Sequence, residues 1–153
     1  MTPVRIIGIG SPHGADAAGW RAVEALQRGG LAARFPPGSV SLENCPAPVQ
    51  LYRLLEGCRL AVLIDAVASE ARKPLHIEPA LLRREPARCS GHGIGVAEML
   101  ELLDTVATRP PRVLLLGLPL GAAGDQPARL QGLLPALSRH IEELIGRCLE
   151  GAG

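Results

Sequence analysis

The stretch Val4-Arg5-Ile6-Ile7-Gly8-Ile9-Gly10-Ser11-Pro12-His13-Gly14-Ala15-Asp16-Ala17-Ala18-Gly19-Trp20-Arg21-Ala22-Val23-Glu24-Ala25-Leu26-Gln27 decides the fold. Val4 to Gly10 is a β-branched run ending in glycine and reads as a buried strand. Gly10 to Gly14 is a turn rich in Gly and Pro. From Asp16 to about Gln27 the period becomes helical, with Trp20, Val23 and Leu26 on one face. Gly29-Gly30 stops that helix.

The alternation continues outward from there. Ser39 to Glu43 reads as a short second strand, and Pro48 to Leu55 as a short helix closed by Gly57. Leu60-Ala61-Val62-Leu63-Ile64 is a second strongly apolar strand, ending at Asp65. Pro74 to Glu78 is a weaker strand, placed at an edge by its flanking prolines. Glu85 to Gly93 reads as a loop, Ile94 to about Val106 as a helix with Val96, Met99, Leu100 and Leu103 on one face, and Arg112 to Leu118 as an apolar strand. Gly121 to Pro127 reads as a flexible loop. Leu130, Leu133, Leu134, Leu137, Ile141, Leu144, Ile145 and Cys148 then recur at helical spacing, which predicts a long amphipathic C-terminal helix. Strands alternating with helices predict one α/β domain over residues 1–153, with a mostly parallel sheet between two layers of helices.

Composition narrows the function. The chain has 153 residues, enough for one domain with a real core, and 47% are hydrophobic. Aromatic residues are only 2%, which argues against a base-stacking platform, and a net charge of +1 argues against a nucleic-acid or acidic-membrane footprint. No apolar run reaches transmembrane length. Met1 to Arg5 lacks the regions of a signal peptide, and Cys45, Cys58, Cys89 and Cys148 form no C-x-x-C pair, so reduced thiols in a cytoplasmic protein are expected.

In open α/β sheets, ligands bind outside the carboxyl ends of the strands. That rule selects Ser11, His13 and Asp16 after the first strand, Glu43, Asn44 and Cys45 after the second, Asp65 after Ile64, and Cys89, Ser90 and His92 ahead of the helix at Ile94. An aspartate directly after Leu-Ile is costly to bury without a partner, although Asp also serves turns. Asp16 can equally cap a helix, and His92 can be a solvated loop residue. Two carboxylates and an imidazole suit Zn²⁺, Ni²⁺ or Mn²⁺ and leave a position open for water or substrate. Without a metal, Asp16 and Asp65 can act as an acid–base pair. His13 and Cys89 are candidate extra ligands. Cys45 is a candidate nucleophile beside His92, against the plainer reading of a small residue tucked into a turn. Cys58 and Cys148 read as core filler. A nucleotide-binding module is the competing reading: Gly8, Gly10 and Gly14 form a loose phosphate-loop pattern, and Glu43 stands where a ribose-binding acid could sit. Pro12 and His13 crowd that turn, and a single small domain leaves no separate substrate half.

Four segments carry a family resemblance. Gly8 to Leu26 resembles the opening of the nickel–iron hydrogenase maturation proteases. Leu63-Ile64-Asp65-Ala66-Val67 resembles their second motif, Ser90 to Glu98 their third, and Leu116-Gly117-Leu118-Pro119 their last strand. The order and spacing agree over about Val4 to Ile145. The resemblance implies a twisted sheet of about five strands flanked by helices, similar to hydrolase and phosphorylase-like domains. It implies an endopeptidase, in some classifications aspartic-type, that removes a C-terminal extension from the hydrogenase large-subunit precursor after nickel insertion. It places the two metal-binding acids on Asp16 and Asp65 and the imidazole on His92. In such proteins these residues meet nickel held by the substrate, so neither a resident metal nor an organic cofactor is implied. Here Ser11 replaces the usual Asn, the first loop is one residue shorter, and Ala15 and Ala17 flank a single acid. Asn44-Cys45-Pro46-Ala47-Pro48 replaces the usual Gly-Thr or Gly-Ser in the loop expected to select the client. A nickel-sensing chaperone that recognises the metallated partner without cutting it is the non-enzymatic alternative.

Overall fold

The computed structural model describes residues 2–10, 17–78, 93–121 and 126–151. Strands β1 (Val4–Ile9), β2 (Val40–Cys45), β3 (Leu60–Val67), β4 (Leu75–His76) and β5 (Arg112–Pro119) alternate with helices α1 (Ala18–Arg28), α2 (Leu51–Leu55), α3 (Gly93–Val106) and α4 (Gln126–Glu150). They form one sheet in the order β2-β1-β3-β5-β4. β2, β1, β3 and β5 run parallel, and the two-residue β4 pairs antiparallel at the edge, as the prolines around it predicted. No helix among the described residues is long and apolar enough to cross a membrane.

β3 is central, and all eight of its residues are buried, so it reads as a continuous apolar run. Its side chains alternate between two cores. Leu60, Val62, Ile64 and Ala66 join residues of α1 and α4; Ala61, Leu63 and Val67 join residues of α2 and α3. Asp65 lies inside β3, two residues before its end, rather than terminating the strand as the sequence suggested. The ladder continues past it, pairing Asp65 with Gly117, Ala66 with Leu118 and Val67 with Pro119.

Two glycines let α1 lie directly on the sheet. A Cβ on Gly8 would stand 2.5 Å from Asn44 Oδ1 and 2.8 Å from the Gly19 carbonyl, and one on Gly19 would run into the carbonyls of Ile9 and Ile64. This close seating turns a small-residue face inward. The buried side of α1 is Ala18, Gly19, Ala22, Val23 and Leu26, whereas Trp20 is only half-buried. α3 buries Val96, Ala97, Leu100 and Leu103, with Met99 partly covered beside them. α4 begins at Gln126, so Pro127 belongs to the helix and not to a loop. It buries Leu130, Leu133, Leu137, Ile141 and Ile145 against the sheet, while Cys148 packs at the margin.

Candidate functional site at the carboxyl edge of the sheet

Asp65 stands near the carboxyl end of the middle strand, flanked by β1 and β5, and is 2% exposed. A carboxylate so placed must be hydrogen-bonded or charge-compensated. One oxygen, Oδ1, accepts the Ala66 N–H at 2.8 Å. Strand alternation puts Asp65 on the α2/α3 side, with Ile9 and Cys45 at the ends of β1 and β2 on the same side. Its ladder partner Gly117 has no side chain, and Ile77 Cδ1 and Val67 Cγ1 fill the place a Cβ would take.

Two helices begin at this edge, on opposite faces. The first turn of α1 rests on the carbonyls of Ile9 and Ile64. The first turn of α3 rests on the turn after β2, where a Cβ on Gly95 would meet Pro48 Cγ at 2.9 Å. Asp16 directly precedes Ala17 in the sequence and His92 directly precedes Gly93, but both, with Ser11, His13, Cys89 and Ser90, lie outside the described residues. Of the three residues assigned to the site, Asp65 is therefore the one whose surroundings can be described. The N-cap position of α1 falls to Ala17, which makes no side-chain cap. Among the described residues no three His, Cys, Asp or Glu side chains converge on a common point.

Other candidates take more definite places. The Cys45 thiol is buried and donates to the Ala47 carbonyl at 3.0 Å; burial pushes its pKa up, which disfavours the thiolate a nucleophile needs. It is the small residue tucked into a turn. Cys58 is buried in the same core, and its thiol is likewise raised by burial. Glu43 pairs with Ile7 two residues inside β2, so it does not end that strand as the ribose-binding reading required. Gly8 is likewise a strand residue occupied by helix packing. Asn44 turns toward α1, with Nδ2 3.5 Å from Glu24 Oε1.

An open cleft of about 640 Å³ also lies at this edge, bounded by Glu70, Arg72 and Pro119 on the sheet side and by Arg129, Gly132 and Leu133 of α4. Arg129 Nη1 and Glu70 Oε2 form an ion pair of 3.1 Å across it. Sequence reasoning missed the cleft, because its walls come from segments 59 residues apart and share no motif.

No protein-family sequence model and no curated protein matches the chain. Solved structures do. The hydrogenase maturating endopeptidase HybD from E. coli superposes with a TM-score of 0.65 at 20% identity, covering 94% of this chain and 93% of its own. The NiFe hydrogenase maturation protease HycI from Thermococcus kodakarensis gives 0.65 at 19% identity over 95% and 93%. The endopeptidase HycI from Escherichia coli gives 0.59 at 15% identity over 94% and 90%. The five-stranded sheet, its helices and their order thus recur almost end to end in these proteins, and the chain has the hydrogenase maturation endopeptidase fold.

Proposed function

We propose that the protein is an endopeptidase that removes a C-terminal extension from the large-subunit precursor of a nickel–iron hydrogenase after nickel has been inserted. The observation that carries this reading is Asp65, a carboxylate 2% exposed in the central strand at the carboxyl edge, in the fold of the maturation endopeptidases. Asp65, Asp16 and His92 serve as oxygen and nitrogen donors toward the nickel that the precursor carries. Such donors suit a borderline divalent ion. A metal there polarises a peptide carbonyl and acidifies a bound water. Ala66 N–H holds Asp65 Oδ1 and fixes the orientation of the carboxylate in advance. The open cleft bounded by Glu70, Arg72 and Arg129 lies at the same carboxyl edge, beside α4, and offers a seat for part of the precursor.

The test is incubation with nickel-loaded and nickel-free large-subunit precursor, followed by mass measurement of the products. Shortening of the loaded precursor alone supports the proposal. Binding of the loaded precursor without any change in mass replaces it with the non-cleaving chaperone. Asp16→Ala, Asp65→Ala and His92→Ala should each abolish shortening; activity retained in any one removes that residue from the site. The nucleotide-binding reading loses one structural support, since Glu43 lies two residues inside β2 and does not end it.

A further inference from the structure

On the far edge of the sheet, β4 meets α4 through two imidazoles. Leu75 and Ile77 pack into the core on the α2/α3 side, so alternation sends His76 to the opposite face, where α4 lies. His140 comes from α4, between buried Leu137 and Ile141. The two Nε2 atoms are 2.8 Å apart, with ring centroids at 4.9 Å and planes at 85°. Both rings stand on anchored backbone. His76 is in register with Leu116, and the next N–H, of Ile77, donates to the Leu115 carbonyl at 2.9 Å. α4 is pinned by Leu137 and Ile141, both fully buried.

A nitrogen pair at that separation holds one proton between them: one ring donates and the other offers its lone pair. Two ring nitrogens from separate elements therefore aim at one point. Two metal–nitrogen bonds at a tetrahedral angle set the nitrogens about 3.3 Å apart, so a parting of roughly half an ångström admits the ion. His76 is exposed and can supply that movement. At neutral pH His140 is available as a ligand, because burial first, and then neighbouring His76, hold its imidazole below the usual pKa. Glu143 acts in the opposite sense and Arg147 in the same sense.

We propose that His76 and His140 form a bis-imidazole site for a borderline divalent transition metal, Zn²⁺, Ni²⁺ or Cu²⁺, which fastens the edge strand β4 to α4. The site is separate from the one at Asp65, two strands away and on the opposite face of the sheet. Among the described residues no third protein ligand joins the pair, so solvent completes the coordination and the affinity follows the order Cu²⁺ above Ni²⁺ and Zn²⁺. Mg²⁺, which demands oxygen donors, is not taken up there.

The experiment titrates the metal-stripped full chain with Zn²⁺ or Ni²⁺ alone by calorimetry. It uses an Asp16→Ala/Asp65→Asn/His92→Ala background, which disables all three proposed catalytic ligands while keeping the oxygen that Ala66 N–H bonds, so that the two proposals fail separately. One equivalent should bind, with a rise in the unfolding midpoint as metal is added. His76→Gln and His140→Gln keep polar side chains of similar reach and should weaken binding at least tenfold and abolish the rise in midpoint. The proposal is overturned if the background binds no metal, or if either glutamine variant binds as tightly as the background.

Discussion

Replacing Gly19 by alanine should loosen α1 from the sheet by an amount that can be worked out. The added Cβ would face two strand carbonyls, standing 2.5 Å from Ile64 O and closer still to Ile9 O, where ordinary contact begins near 3.4 Å. Neither carbonyl can rotate away without breaking the parallel ladder, so the helix must withdraw by roughly 1 Å at that point. A gap of that size forfeits about a quarter to a half of each dispersion contact, and the contacts at risk are those of Ala22, Val23 and Leu26. Overpacking of this kind costs about 1–3 kcal/mol, and rigid obstacles place Gly19→Ala near the upper end. Alanine returns at most about 1 kcal/mol of helix propensity. The net loss is about 2 kcal/mol, which for a chain of this length lowers Tm by about 4–8 °C. Equilibrium urea unfolding followed by far-ultraviolet circular dichroism measures it, with the denaturant slope unchanged. Gly146→Ala in α4 is the matched control, because nothing lies within 4 Å of its added Cβ. It should stabilise the protein by up to about 1 kcal/mol. A loss under about 0.5 kcal/mol for Gly19→Ala, or the same sign for both variants, would refute the seating of α1 on β1 and β3.

Asp65→Asn still offers an oxygen to the Ala66 N–H, so it should fold, yet it removes the negative charge; processing of a nickel-loaded precursor should fall by roughly a hundredfold or more. Normal turnover by that variant would disqualify the carboxylate. In the native protein Cys45 should resist a thiol reagent, with half-buried Cys148 labelled ahead of it; mass mapping after brief alkylation reads the order, and early modification of Cys45 contradicts its burial. His140 should make stability sensitive to acid. Its folded pKa lies below its ordinary value of 6.5, so the unfolded chain binds the proton more readily. Stability is then fully present above about pH 6.5 and declines as the pH falls through the folded pKa. Urea midpoints at pH 7.5 and pH 5.5 should draw closer together in His140→Gln, and an unchanged spacing would show that His140 does not titrate as described.

The fold was legible because its central strands advertise themselves. A strand covered on both faces is apolar along its whole length, and Val4–Ile9 and Leu60–Ile64 can be read as nothing else once helical periods follow them. The misreadings have physical causes. β3 seems to stop at Asp65 because a carboxylate is out of place in a buried strand, whereas the ladder to Gly117 carries it through to Val67. The buried face of α1 was assigned to Trp20 because large side chains dominate a periodicity argument. The contact that sets the face is made by Gly8 and Gly19, which have no side chains to count. Gly121 to Pro127 reads as a loop although α4 already begins at Gln126, since Pro127 suits a helix start as well as a loop.

The carboxyl-edge rule located Asp65 without any motif, and the family resemblance joined it to Asp16 and His92. Neither route could find the features that depend on distant segments meeting. Glu70 and Arg129 are 59 residues apart, and His76 and His140 are 64 apart. Each pair takes one member from the segment that follows β3 and the other from α4. That common origin follows from the topology. Among the described strands, four run parallel, and the chain returns as an antiparallel edge strand between β3 and β5 in sequence. This excursion brings Glu70, Arg72 and His76 over beside the C-terminal helix. One wall of the open cleft and one half of the imidazole pair are therefore consequences of the same turn of the chain. A substitution that unpairs β4, such as proline at Ile77, whose N–H bonds to Leu115, should disturb both while leaving the parallel strands around Asp65 in register.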